Sequence, residues 1–313
     1  MNAALSNLLQ GSIDYAGLFP PANLTLDQAV EVFTADRASE YQDWLRHFVL
    51  PAKRMHEFDS LRNALPNDTQ WTLSLLMGGG DTLQDWQASV EDALKIFEGN
   101  RGDDADTVRA LEIALPQAMA ADTASFTQAI ESINHHIAHT SLGGCDLFFE
   151  TTSPGHRQTL ANILCERKKR DVNIGLKLRT GGLTSSHFPS IEQLADCIRL
   201  CHSRNIPWKA TAGLHHPLPH DCSQTGATMH GFLNLLLAVV FLEGDLLVGE
   251  HLEDLLGDRD AEHFTFTDTS LDWNGITADL GQIRAGRERF ISFGSCSFAE
   301  PIEDLTGLGL LTV

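Results

Sequence analysis

Three cationic side chains sit inside short strand-like segments: Lys177 and Arg179 in NIGLKLRTGG, and Lys209 in WKATAG. A charge in such a segment is costly unless it acquires a partner or gives up its proton. Side-chain alternation sorts the candidates. Ile174, Leu176 and Leu178 form one face, which leaves Gly175, Lys177 and Arg179 on the other; Lys209 shares a face with Thr211 and Gly213. The same parity sets Ala110 and Glu112 apart from Leu111, Ile113 and Leu115, and groups Glu150 with Phe148 and Asp146. Asp14, in an early strand-like segment, supplies a third acid.

If those faces line one interior, Glu112, Glu150 and Asp14 meet Lys177, Arg179 and Lys209. Two neighbouring lysines have a specific use. An amine attacks a carbonyl only when unprotonated, and desolvation together with a nearby positive charge lowers its pKa toward neutrality. Lys177 is then a Schiff-base nucleophile tuned by Lys209, with Glu150 or Glu112 moving protons. The bland alternative is a set of internal ion pairs in a non-catalytic, small-anion-binding barrel.

Arg179, Thr180, Gly181 and Gly182 make a candidate anion cradle, because guanidinium binds oxyanions in two-pronged fashion and glycines expose N–H groups. The alternative is a strand-end turn. His215, His216, His220, Cys222 and His230 crowd one loop region, and imidazole and thiolate are metal ligands. No HExxH or other zinc spacing is present. A divalent metal on His215 and His216, completed by Glu112 or Glu150, defines a second reading, a metal-dependent lyase or hydrolase. The primary reading needs no cofactor; there one of these histidines serves as general acid or base, or both simply bond loop carbonyls. DYAGLFPP reads as a strand end with Tyr15 and Phe19 packing on a rim, MGGG (Met77–Gly80) as a weak phosphate signal, and Cys296 as a pocket neighbour.

The elements that must position these residues are short apolar strands alternating with amphipathic helical segments, the pattern of a parallel sheet covered by helices. Eight strands are expected: Ser12–Ala16, Leu45–Leu50, Thr72–Met77, Val108–Leu115, Asp146–Thr151, Ile174–Thr180, Trp208–Ala212 and Phe290–Phe293. Eight closes a (β/α)8 TIM barrel, an α/β fold whose sites lie at the C-terminal strand ends. Helix starts are signalled by Thr25 with Gln28, by Asp81, and by Pro189–Ser190. The chain reads as one barrel domain over residues 1–313, with an insertion at 244–276 between the seventh and eighth strands and a final helix over Thr277–Arg287.

Composition bounds the partners. The 313 residues are 42% hydrophobic and 20% charged, with a formal charge of -20 that repels nucleic acid and anionic membrane surfaces. A small anionic substrate in a local cationic pocket is compatible with that field, as is assembly into a homo-oligomer. Scattered cysteines, the lack of an export signal and the short, interrupted apolar run Phe232–Leu242 indicate a soluble cytoplasmic protein.

Taken in order, FFET (Phe148–Thr151), KLRTG (Lys177–Gly181), WKATAG (Trp208–Gly213) and SFGSCS (Ser292–Ser297) resemble the last four strands of the deoxyribose-phosphate aldolase family, class I aldolases on a (β/α)8 barrel. The resemblance implies that Lys177 is the Schiff-base lysine and Lys209 the neighbour that depresses its pKa. It also implies that Gly213, Gly294 and Ser295 lie near a substrate phosphate, and leaves Glu112 or Asp14 to stand in for the family's strand-borne acid. It covers about the second half; DYAGLFPPA, HHP (His215–Pro217), the insertion and SFAEPIEDL depart from it. The whole chain more closely resembles a bacterial barrel family of unassigned function, so the substrate is not carried over.

Overall fold

The computed structural model describes residues 1–62, 71–80, 82–99, 107–116, 123–138, 140, 142–151, 154–168, 174–247 and 251–311. Its strands are β1 (Ile13–Tyr15), β2 (Leu45–Pro51), β3 (Leu73–Gly78), β4 (Val108–Ala114), β5 (Asp146–Glu150), β6 (Ile174–Arg179), β7 (Trp208–Thr211), β8 (His220–Cys222), β9 (Ala227–Met229), β10 (Phe264–Phe266), β11 (Ser270–Trp273), β12 (Ile276–Asp279) and β13 (Phe290–Ser295). Strands β1 to β7 and β13 close a parallel barrel in which β13 lies between β7 and β1. All eight expected strands are present and the fold is a (β/α)8 barrel.

The helices are α1 (Ala3–Leu9), α2 (Leu26–Asp36), α3 (Met55–Arg62), α4 (Leu83–Gly99), α5 (Thr123–Ala138), α6 (Pro154–Lys168), α7 (Ile191–Ser203), α8 (Phe232–Glu243), α9 (His251–Gly257), α10 (Leu280–Arg289) and α11 (Ala299–Gly307). Capping boxes start α2, through Thr25 and Gln28, and α7, through Ser190 and Gln193. Asp81, expected to start α4, lies outside the described residues. Helix α8 is apolar on every side because it is an interior helix, packed on β13 and sheathed by α7, α9 and α10. No helix among the described residues is long and apolar enough to cross a membrane.

Two excursions interrupt the barrel. After β7 the chain folds an antiparallel hairpin, β8–β9, that the sequence did not signal. Before β13 come α9 and the antiparallel sheet β10–β11–β12. LDWNG, expected as a turn, is strand plus turn. Asn274 and Gly275 take φ of 49° and 84°, the geometry of a two-residue hairpin between β11 and β12. The final helix expected over Thr277–Arg287 is corrected accordingly: Thr277 pairs in β12, and α10 begins only after Asp279, whose carboxylate accepts from the Gly281 and Gln282 N–H groups.

Between strands and helices lies an aromatic cluster of Tyr15, Phe33, Phe48, Phe58 and Trp71; Phe33 and Trp71 stack at 5.0 Å. Tyr15 therefore belongs to the helix-facing core, which leaves its neighbour Asp14 on the opposite, interior face.

Candidate active site

The interior face of the barrel carries a chain of alternating charges. At one end Asp14 accepts from the His47 backbone N–H (3.2 Å), the Ser292 hydroxyl (2.5 Å) and Lys209 Nζ (2.5 Å). Lys209 Nζ also donates to Glu112 Oε1 (2.6 Å), to which the Ser74 hydroxyl donates as well (2.6 Å). The other oxygen of Glu112 faces Lys177 Nζ at 2.8 Å, and Lys177 reaches on to Glu150 Oε2 at 2.9 Å. Glu150 Oε1 then accepts from Arg179 Nε at 2.8 Å. The strands fix this order: Lys177 pairs in register with both Glu150 and Lys209, so the two lysines are direct neighbours. All but Arg179 are buried; its side chain is 40% exposed.

Burial alone would neutralise such groups, and mutual attraction offsets it. Desolvation opposes ionisation of Glu112, yet Lys177 and Lys209 hold its carboxyl well below the ordinary range. Burial likewise opposes charge on Glu150 and Asp14, and Lys177 with Arg179, and Lys209, respectively hold them low. For Lys177, burial favours the neutral amine, but Glu112 and Glu150 outweigh it and raise the pKa above that of an ordinary lysine. This corrects the expectation of a depressed Lys177. Its positive neighbour is real, but two carboxylates in direct contact dominate. His47 contributes no charge: burial pushes its imidazole down to about 3, and neither ring nitrogen has a partner among the described residues.

Above this chain opens a cavity of about 840 Å3 whose lining includes Lys177, Lys209, Glu112 and Arg179. Thr211, Gly213, Gly182 and Gly294 also line it, whereas Asp14 and Glu150 lie behind it as partners of the lysines. The remaining predicted contacts, Thr180, Gly181 and Ser295, are not among the lining residues. Thr180 is fully buried and donates to the carbonyls of Thr211 (3.1 Å) and Ala212 (2.7 Å). Gly181 lies so close to Gly213 that an added Cβ would stand 3.0 Å from the Gly213 Cα. Ser295 donates to the Ser297 carbonyl at 2.6 Å and stands 3.4 Å from His215 Nδ1.

The two loop histidines take separate partners. His215 Nδ1 stands 3.6 Å from Cys296 Sγ and 3.7 Å from Glu300, and burial, reinforced by His216 and His220, pushes this imidazole down to about 4. His216 pairs with Asp304, and its ring meets His220 edge-on at 4.1 Å. No group of three or more His, Cys, Asp or Glu among the described residues is arranged to hold a metal ion. All six cysteines are free thiols.

Several lining residues escaped the motif search. The hairpin β8–β9 overhangs the cavity with Asp221, Gln224 and Thr225, and Asp221 is clamped by Arg259 Nη1 and Nη2, each at 2.9 Å. Glu300, Val49 and Leu76 are among the other lining residues, and Phe19, expected to pack on the rim, faces the cavity as well. Val49 and Leu76 were legible by strand parity as interior residues; Glu300 and the hairpin carried no signal beyond their nearness to other motifs.

No family model matches the chain, and no curated protein matches it. Among solved structures it is similar to a deoxyribose phosphate aldolase from Aeropyrum pernix, described as a tetramer, with a TM-score of 0.52 at 12% identity over 98% of each chain. A FabK variant from Thermotoga maritima aligns over 99% of this chain and 98% of its own, at 10% identity and a TM-score of 0.38. The first likeness is one of fold, and agrees with the barrel closed by β1 to β7 and β13.

Proposed function

We propose that this protein is an aldolase-like carbon–carbon lyase that forms a Schiff base between Lys177 and a small anionic carbonyl or sugar-phosphate compound. The observation that supports it is a pair of buried amines sharing the Glu112 carboxylate at the floor of an open cavity, with a partly exposed guanidinium beside them.

Lys177 is charged in the free protein, so its activation is coupled to substrate. Passing a proton from Nζ to Glu150 Oε2, 2.9 Å away, yields a neutral amine beside a neutral acid and leaves the net charge of the interior unchanged. It also frees Arg179 from its anionic partner for a substrate oxyanion. The amine attacks the carbonyl carbon, the C–N bond forms, and a proton passes from the attacking nitrogen to the former carbonyl oxygen, giving a carbinolamine. Glu150 returns its proton as water leaves. The resulting iminium is cationic where the ammonium had been, and Lys209 keeps Glu112 paired while the amine is neutral. Cleavage follows when Glu112 or Glu150 accepts the β-hydroxyl proton, the Cα–Cβ bond breaks and its electrons flow to the iminium as an enamine. Lys209, held between Asp14 and Glu112, stays an ammonium and acts electrostatically.

Borohydride reduction in the presence of a panel of aldehydes and ketones tests this, read by intact mass and then by peptide. An adduct on Lys177 that Lys177→Met abolishes is the expected result. Adducts confined to other lysines, or none across the panel, would overturn it.

A further inference from the structure

The cavity is polar on one side only. In the closed strand order β2 lies opposite β6, and β3 opposite β7. Lys177, Arg179 and Lys209 project from β6 and β7, so the wall facing them is built by Val49 of β2 and Leu76 of β3, extended by Phe19 from the loop after β1. Leu183 lines the mouth and is 71% exposed. A large aliphatic side chain left in water at the rim of a cavity gains by covering a ligand's apolar surface.

The electrostatic balance argues against a phosphate. The three cations are matched inside the barrel by Asp14, Glu112 and Glu150. Glu300 adds a further carboxylate to the lining, while that of Asp221 is already balanced by Arg259. The turn after β13, where a phosphate would be expected, is also spent on itself. The Ser295 hydroxyl donates to the Ser297 carbonyl, and the Ser297 hydroxyl accepts from the Glu300 N–H at 3.1 Å. A dianion there would face Glu300, with the Ser295 hydroxyl and the Glu300 N–H already engaged. A monoanion has a seat elsewhere, because Arg179 lines the cavity and, among the described residues, its guanidinium is held by Glu150 through Nε alone.

One carboxylate spaces the two reacting groups. Lys177 Nζ and Arg179 Nε contact opposite oxygens of Glu150, which puts them about 5–7 Å apart from hydrogen-bond geometry. That separation suits a carbonyl carbon bonded directly to a carboxylate. We propose that the substrate is a 2-oxo acid with an aromatic or branched apolar body, its carboxylate on Arg179, its carbonyl at Lys177 and its body against Phe19, Val49 and Leu76. This narrows the Schiff-base reading and rests on it for the placement of the carbonyl.

Calorimetric titration of the full chain with phenylpyruvate, pyruvate and 2-deoxyribose 5-phosphate provides the test. Phenylpyruvate is expected to bind about 10- to 100-fold more tightly than pyruvate, from burial of one ring. Phe19→Ala should shrink that ratio severalfold, and Leu183→Ala, at an exposed position where folding is not at risk, should move it the same way. Arg179→Leu should weaken both acids. Tighter binding of the sugar phosphate, a ratio near one, a ratio indifferent to both wall substitutions, or no binding of either acid at millimolar concentration would overturn the proposal. Phenylpyruvate that binds as expected yet is never trapped by borohydride would refute the Schiff base and leave the ligand class standing. Trapping by the sugar phosphate alone would do the reverse.

Discussion

Glu112→Gln is the most informative single change. The carboxylate is buried and takes three donors: Lys177 Nζ at 2.8 Å, Lys209 Nζ at 2.6 Å and the Ser74 hydroxyl at 2.6 Å. Glutamine keeps the shape but turns one end into a donor, so one ammonium meets an N–H2 group in place of an oxygen. Each lysine retains one other carboxylate, Glu150 or Asp14, so the damage is one broken buried pair rather than two stranded charges. Such a break costs about 3–5 kcal/mol, a large part of the roughly 5–15 kcal/mol that keeps a typical domain folded. Urea unfolding at neutral pH measures it. Glu57→Gln, which breaks the solvent-facing pair with Arg54, serves as the control and should change stability by less than about 1 kcal/mol. The pH dependence has a definite sign. Glu112 has a depressed folded pKa, so its contribution is full above the unfolded carboxyl value of about 4.3 and fades as pH falls below it. The gap between wild type and variant should close on acidification. Lys177, relieved of one of two carboxylates, should lose its proton at lower pH, moving borohydride trapping toward neutrality. A loss under about 1 kcal/mol, or trapping that moves to higher pH, would refute the assignment of Glu112 as the shared counter-ion.

Three further outcomes follow from local geometry. Burial holds His215 down to about 4 and His47 down to about 3, so the unfolded chain binds protons that the folded one refuses. Stability should therefore fall as pH drops below about 6.5, and His215→Gln should flatten that slope in urea midpoints taken between about pH 4 and 7. Arg259→Ala releases the clamp on Asp221, and hydrogen exchange should accelerate in the hairpin Asp221–Met229 while the thermal midpoint of the barrel holds. Gly213 has φ of +75° and leaves a Cβ 3.0 Å from the Phe188 ring and 3.2 Å from Gly181, so Gly213→Ala should cost about 1–3 kcal/mol in chemical denaturation.

The barrel and its interior charges were legible because both rest on alternation. A strand such as IGLKLR has one continuous apolar face, and any charge on the other face must look inward. Which acid touches which lysine was not legible, because register across the barrel decides it. Glu112 reaches both lysines and Asp14 reaches Lys209 only through pairings spread over the whole chain. The direction of the Lys177 shift failed for the same reason: the nearby lysine could be inferred from parity, but the two carboxylates in direct contact could not be counted. The hairpin β8–β9 went unseen because strands of three residues among prolines and histidines have no periodicity to detect. Thr180 and Ser295 have the right chemistry for an anion site, yet their hydroxyls are spent on backbone carbonyls.

The seam between β1 and β13 has a consequence for how the molecule assembles. It joins Ile13 to Phe293 and Asp14 to Gly294, so the first strand waits for the last one. Pairing at such separation is slow, because loop-closure entropy is lost before any contact offsets it. During synthesis β1 presents an unpaired edge while the strands between are already emerging. The Ser292–Asp14–Lys209 contact lies at that seam, and its Ser292 arm forms only once β13 is in place. Time-resolved folding should find these side chains hydrated in any intermediate that precedes ring closure, so that expulsion of water from the charged interior marks the final event.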